Sequence, residues 1–194
     1  MNFLAHLFLS GKPGELMVGN FIADSVKGNA AQGFTEGIQK GIKLHRAIDT
    51  FTDNHPEMLK SKERLRSRYK KYAPVITDIF YDHFLAVNWN TYATVSLREY
   101  TQQVYTYLGE YYPVFPVRSK QFYDYMVKYD ILFAYTKIEG IEQVMQGMSR
   151  RAHFISGMET ATEELQRHYS DFETEFRAFF PDLQSFVKAQ ILLI

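Results

Sequence analysis

The chain contains no cysteine. That excludes a disulfide framework, a cysteine nucleophile and a thiolate zinc site, and it fits a reducing cytoplasm. It has no excess of either charge: 22 Lys and Arg stand against 22 Asp and Glu. No global field then draws the protein toward nucleic acid, and any charged partner has to be met by a local patch. No apolar run approaches the ~20 residues of a membrane-spanning helix. The apolar opening from Met1 to Leu9 has no basic start, is short and contains His6, so it does not read as a signal peptide. No repeat, low-complexity tract or Gly/Ser-rich linker divides the chain. It has no glycine-rich phosphate loop and no nucleophile elbow around a serine, and Ser10-Gly11-Lys12 reads as a turn. We therefore expect a cytoplasmic protein with neither nucleic acid nor membrane as a partner.

What is present is enough for one domain, 194 residues with 46% hydrophobic content. The aromatic share, 16%, predicts a core built largely from Phe and Tyr. Apolar residues recur at helical spacing and little of the chain alternates as strands do. A helix is predicted from Gly33 or Thr35 to Phe51, ended by Asn54-His55-Pro56, because the residue before proline avoids the helical region. Pro56 can open the next helix, which runs to about Tyr72, and Pro74 opens a third. Ser96 and Glu99 form a capping-box pattern ahead of a helix from Tyr100 to Tyr112, broken by Pro113 and Pro116. Further helices are expected over Ser119 to Tyr135, Ile141 to Met148 and Gly157 to Phe179, the last ended by Pro181. The expected fold class is all-α, a compact single-domain bundle over residues 1–194.

The residues that carry chemistry lie in two neighbouring segments. One runs from Leu44 to Asp53 and holds His45, Asp49 and Asp53; the other holds Asp78, Asp82 and His83. Residues four apart share a helix face, so His45 stacks with Asp49 and Asp78 with Asp82. Crowded carboxylates and imidazoles call for a cation, and mixed oxygen and nitrogen donors suit divalent first-row metals, with Mn²⁺ or Mg²⁺ favoured by oxygen. Asp24 and His6 can join from the N-terminal segment. His83 points about 100° away from Asp82 on a straight helix, so both reach one ion only if it lies between helices. Each residue alone has a plainer explanation: a cap, an ion pair with Arg46, or a packed core histidine. The set is stronger, because Asp78 and Asp82 sit among Ile76, Ile79, Phe80, Phe84 and Leu85, where an unpaired carboxylate is costly. Arg46 or a metal could answer them.

The stretch from Lys60 to Lys71 is strongly basic and lies between the two acid–histidine segments. It reads either as a solvated face or as a docking patch, through residues such as Lys62 and Arg66, for an acidic protein or a phosphorylated ligand. Arg150 and Arg151 could grip a phosphate, or complement the C-terminal end of their helix. His153 and His168 stand alone and read as packing or surface residues.

Several blocks, taken in order, resemble the acyl carrier protein phosphodiesterases. They are Met1 to Leu7; Gly19-Asn20-Phe21-Ile22-Ala23-Asp24 with Val26-Lys27-Gly28; Gly41 to Arg46 with Ile48-Asp49; Phe51 to Pro56; Asp78 with Asp82-His83-Phe84-Leu85 and Trp89; and Gly147 to Arg151. The resemblance implies an all-α fold distantly related to HD-type metal phosphohydrolases. It implies hydrolysis of the phosphodiester between 4′-phosphopantetheine and a serine of holo acyl carrier protein, with a divalent metal, foremost Mn²⁺. On that basis Asp24, His45, Asp49, Asp78 and Asp82 are expected to bind metal, and His6 and His83 to be ligands or proton-transfer groups. Arg46 would hold a carboxylate or the phosphate. The carrier protein, small and acidic, would meet the basic helix. Two other functions compete: a related phosphohydrolase of small nucleotides, since fold does not fix substrate, and a non-enzymatic helical module that binds an acidic protein. A bare ion-pair network around Arg46 is the third alternative.

Overall fold

A computed structural model describes residues 1–152 and 154–194; His153 lies outside the described residues. Among the described residues the chain is all-α, with no strand. The helices are α1 (Phe3–Leu9), α2 (Glu15–Ile22), α3 (Glu36–Asn54), α4 (Pro56–Tyr69), α5 (Ala73–Val87), α6 (Trp89–Tyr92), α7 (Leu97–Glu110), α8 (Val117–Lys128), α9 (Ile131–Ala134), α10 (Ile138–Arg151), α11 (Ala161–Arg167) and α12 (Tyr169–Leu193).

Helix α5 is apolar nearly all round, burying Ile76, Ile79, Phe80, Tyr81, Phe84 and Leu85, as a helix at the centre of a bundle must. Helix α12 crosses α3, α4 and α5. It lays down Phe172, Phe176, Phe179 and Phe180, all fully buried. Phe172 meets Phe80 edge-on at 5.2 Å, and Phe176 meets Tyr81 likewise at 5.6 Å. The aromatic core anticipated from composition is therefore a seam between α5 and α12, where edge-to-face pairs add to the area buried.

Several boundaries fall where the chain chemistry puts them. Thr35 caps α3, His55 adopts extended backbone and Pro56 opens α4. Ser96 and Glu99 form the reciprocal capping box of α7. Others differ. The stretch from Ser119 to Tyr135 is two helices, because Asp130 takes a left-handed conformation, held by Arg98 and by the Tyr105 hydroxyl. Helix α4 stops at Tyr69, where Lys70 has φ of 49°. Pro181 does not end the last helix, which continues to Leu193. The lost backbone donor there is outweighed by burial of Phe179, Phe180, Leu183 and Val187 on both sides of the proline. The break comes instead at His168, between α11 and α12.

The basic helix α4 turns part of its charge toward neighbouring helices. Lys62 is buried and bonds Asp53 at 2.7 Å. Arg64 grips Glu175 of α12 with two bonds of 2.7 Å, and Arg68 reaches Glu163 and Glu164 of α11. Arg66 faces out and pairs with Glu63. Lys62, Arg64 and Arg68 are thus interhelical ties, Lys62 an interior one, while Lys60, Arg66, Lys70 and Lys71 are exposed.

Candidate metal centre

The centre is built where α2 and α3 cross. Their axes come close because each offers a glycine at the crossing. A β-carbon on Gly19 would lie 2.0 Å from the Ile38 carbonyl oxygen, and one on Gly41 would lie 2.1 Å from that of Leu16. Asn20 follows Gly19, and His45 lies one turn beyond Gly41, so this approach presses the Asn20 amide against the His45 ring. Helix α1 brings His6 from the other side, and the rings of His6 and His45 stack at 4.0 Å.

Asn20 is fully buried and fixes both rings. Its Nδ2 donates to the His6 carbonyl and to Ser10 Oγ, each at 2.9 Å. The amide oxygen therefore faces the histidines, 2.9 Å from Nδ1 of His6 and 2.9 Å from Nδ1 of His45. An amide oxygen only accepts, so both Nδ1 atoms carry the hydrogen. The Nε2 atoms then point the other way. His6 Nε2 lies 3.1 Å from Asp49 Oδ1 and 3.2 Å from the Met1 carbonyl; His45 Nε2 lies 3.1 Å from Asp49 Oδ2 and 3.3 Å from Asp24 Oδ1.

Every neighbour of both rings is thus an acceptor. A neutral ring with its hydrogen on Nδ1 aims an Nε2 lone pair at oxygen, which repels. Burial lowers the pKa of His6 and favours its neutral form. Burial acts the same way on His45, but its bonds to Asp24 and Asp49 prevail and push it up to about 9. Asp49 is held well below the usual carboxylate range: burial opposes this, and the bonds from His45 and His6 outweigh it. Two stacked imidazolium ions would repel each other. One cation shared by the Nε2 atoms and the carboxylate relieves both conflicts. The donor atoms of His6, His45 and Asp49 lie within 4.8 Å of one another, close to the span of two metal–ligand bonds of about 2.0–2.2 Å. These residues fit a divalent ion, with Asp24 beside them.

The chain matches the family model for acyl carrier protein phosphodiesterase over residues 1–183. The acyl carrier protein phosphodiesterase of Photorhabdus laumondii is 30% identical, covering 93% of this chain and 92% of the relative. That of Enterobacter sp. (strain 638) is 32% identical over 93% and 94%, and that of Escherichia coli O157:H7 (strain EC4115 / EHEC) 33% over 95% and 96%. This chain belongs to the acyl carrier protein phosphodiesterase family. No solved structure matches it.

Within this family member the second acid–histidine segment is used differently. Asp82 is fully buried and caps α1, accepting from the Leu4 amide at 2.7 Å and the Ala5 amide at 3.3 Å. His83 donates or accepts between the Tyr135 carbonyl at 2.7 Å and the Tyr169 hydroxyl at 3.0 Å. Neither is brought to the cluster, so both leave the candidate set. Asp78 lines the same 360 Å³ hollow as His6, His45 and Asp49, and its Oδ1 bonds the Met1 ammonium at 3.1 Å. Arg46 reaches the Val26 carbonyl at 3.3 Å rather than a carboxylate. Arg150 touches Gln146, while Arg151 lines a larger cavity next to the hollow. Sequence reasoning missed Asn20. The signal was there: a polar residue among apolar Met17, Val18, Phe21 and Ile22 has to be hydrogen-bonded when buried.

Proposed function

We propose that this chain hydrolyses the phosphodiester joining 4′-phosphopantetheine to a serine of holo acyl carrier protein, using a divalent ion held by His6, His45, Asp49 and Asp24. The observation that carries this reading is the convergence of both Nε2 atoms on the Asp49 carboxylate, in a chain whose relatives bear the name of that activity. Mixed nitrogen and oxygen donors suit a divalent first-row metal; Mn²⁺ is the ion that the family resemblance implies, with Mg²⁺ or another first-row metal as alternatives. Such an ion, when bound, supplies positive charge to the phosphoryl oxygens and acidifies water.

The chain's own residues do the rest. Asn20 holds both rings with Nε2 facing the hollow, so no rotation is needed when a ligand arrives. Asp49 spans the two histidines with one oxygen each. Asp78, bonded to Met1 at 3.1 Å, stands on the wall of the same hollow. Lys71 lines the same hollow, and Arg118 and Arg151 line the cavity beside it. These cations, rather than Lys62, are suited to meet a phosphate and an acidic partner. Asp78 serves here as the anchor of the amino terminus.

The test is incubation of the purified chain with holo acyl carrier protein and Mn²⁺, with and without chelator, read by intact-protein mass. Loss of the phosphopantetheine mass, abolished by chelator, is the expected result. Intact holo carrier protein in the presence of bound metal would overturn the substrate and direct the search to small nucleotide phosphoesters.

A further inference from the structure

We infer that the apolar cavity beside the cluster is the seat of the pantetheine arm. This rests on the hydrolysis proposed above. The cavity measures about 790 Å³, within the roughly 300–1,000 Å³ of small-molecule sites. It adjoins the hollow over the cluster, since Asn2, Phe3, Asp24 and Val75 border both. Away from the cluster its wall is formed by Ile131, Tyr135, Val144, Met148 and Met158. Polar side chains are interspersed on the lining, among them Ser119 and Gln121, with Arg118 and Arg151.

A phosphodiester held at the cluster has two substituents. One is the serine of a folded carrier protein, too large to enter a cavity. The other is a thin linear arm that begins at the phosphorus itself. Its dimethyl and ethylene segments gain from an apolar wall, and its two amides need only a few polar partners. A cavity that starts at Asp24 is where that arm arrives. Two of its aromatic lining residues, Phe3 and Phe122, are stacked on each other at 3.9 Å.

The absence of cysteine makes a direct test possible. Met148→Cys places one thiol in the cavity wall, and Leu192→Cys places one on the exposed end of α12, where the leucine is 86% exposed. Each variant is treated with pantethine, the disulfide of pantetheine, or with bis(2-hydroxyethyl) disulfide. The protein thiolate attacks one sulfur, a mixed disulfide forms and the other half leaves as thiolate. Intact mass gives both rates. The expected preference for pantethine is at least about ten-fold larger at Met148→Cys than at Leu192→Cys. Val144→Cys, elsewhere on the wall, repeats the measurement in case the first sulfur is out of reach. Equal preferences at all three sites, with the wild-type chain still releasing the arm from holo carrier protein, would overturn the arm site alone. A clear preference with no release would keep the arm site and overturn the hydrolysis.

Discussion

His45 and Asp49 on α3, and Asp82 and His83 on α5, are both acid–histidine pairs on helices packed near α1, and the protein uses them in opposite ways. On α3 the polar atoms converge on one another: both rings give their Nδ1 hydrogens to one Asn20 oxygen, and their Nε2 atoms meet the carboxylates of Asp49 and Asp24. On α5 the two groups turn to partners on other segments of the chain and apart from each other. Asp82 accepts two backbone amides, and His83 sits between a carbonyl and a hydroxyl. The difference teaches that burial and residue type do not mark a ligand site. What sets the α3 pair apart is convergence, with donor atoms of His6, His45 and Asp49 within 4.8 Å of one another.

The sharpest way to break this comparison is to change one member on each side. Asp49→Ala removes the carboxylate that spans both histidines. We expect its loss of Mn²⁺ affinity to exceed the roughly 10–100-fold that removal of an orienting partner costs. Hydrolysis of holo carrier protein should vanish while helical circular dichroism stays intact. His83→Gln should keep Mn²⁺ affinity at the wild-type value in the same calorimetric titration. If the two variants lost metal alike, the division between the segments would fall.

Asn20→Ala sharpens the comparison from within α2. It keeps every ligand and removes the shared acceptor, so the rings are free to turn. The expected weakening of Mn²⁺ binding is about 10–100-fold. Nitrogen-15 spectra of the histidine rings add an independent readout. The metal-free wild type should show hydrogen on Nδ1 of both His6 and His45, and Asn20→Ala should lose that uniformity. Unchanged ring spectra would show that Asn20 does not set the tautomers.

Much of this was readable before the fold was known. His45 and Asp49 are one turn apart, and that local periodicity survives folding. Pro56 at a helix start and the Ser96/Glu99 box are likewise local, decided by φ restriction and by a side chain reaching its own backbone. What could not be read is what arrives from elsewhere in the chain. Asp82 became a cap because the amides of Leu4 and Ala5, 78 and 77 residues away, were delivered to it. Pro181 stayed helical because phenylalanines on either side are buried against other helices. Helices α1 and α2 are 7 and 8 residues long, too short to be stable alone, and owe their existence to packing.

Asp82 gives a smaller effect with a definite sign. Burial pushes its carboxyl up from 3.8 to about 7, against the pull of the Met1 ammonium and the two amides. The folded state then holds the proton more tightly than the unfolded chain. Stability from this group is full below about 3.8 and is lost as pH rises toward about 7. Asp82→Asn keeps an acceptor for the α1 amides and cannot ionise. Its urea unfolding curve should be flatter than that of the wild type across that window. A slope equal to the wild type would show that Asp82 does not titrate there.

The smallest effect separates Lys62 from Arg66, which the sequence places four residues apart on one basic helix. Lys62 is buried against Asp53, so its amine is spent inside the protein. Arg66 is exposed and paired with Glu63 on the same helix. Exposed pairs of that kind contribute about 0.2–1 kcal/mol, so Arg66→Ala should leave unfolding nearly unchanged. If α4 steers an acidic carrier protein at all, Arg66→Ala should raise KM slightly at low salt through slower encounter. The rise should disappear near physiological ionic strength, where a Debye length of about 8 Å screens exposed charge. A KM effect that persists at high salt would mean that Arg66 touches the carrier protein directly, and that the outer face of α4 belongs to the interface after all.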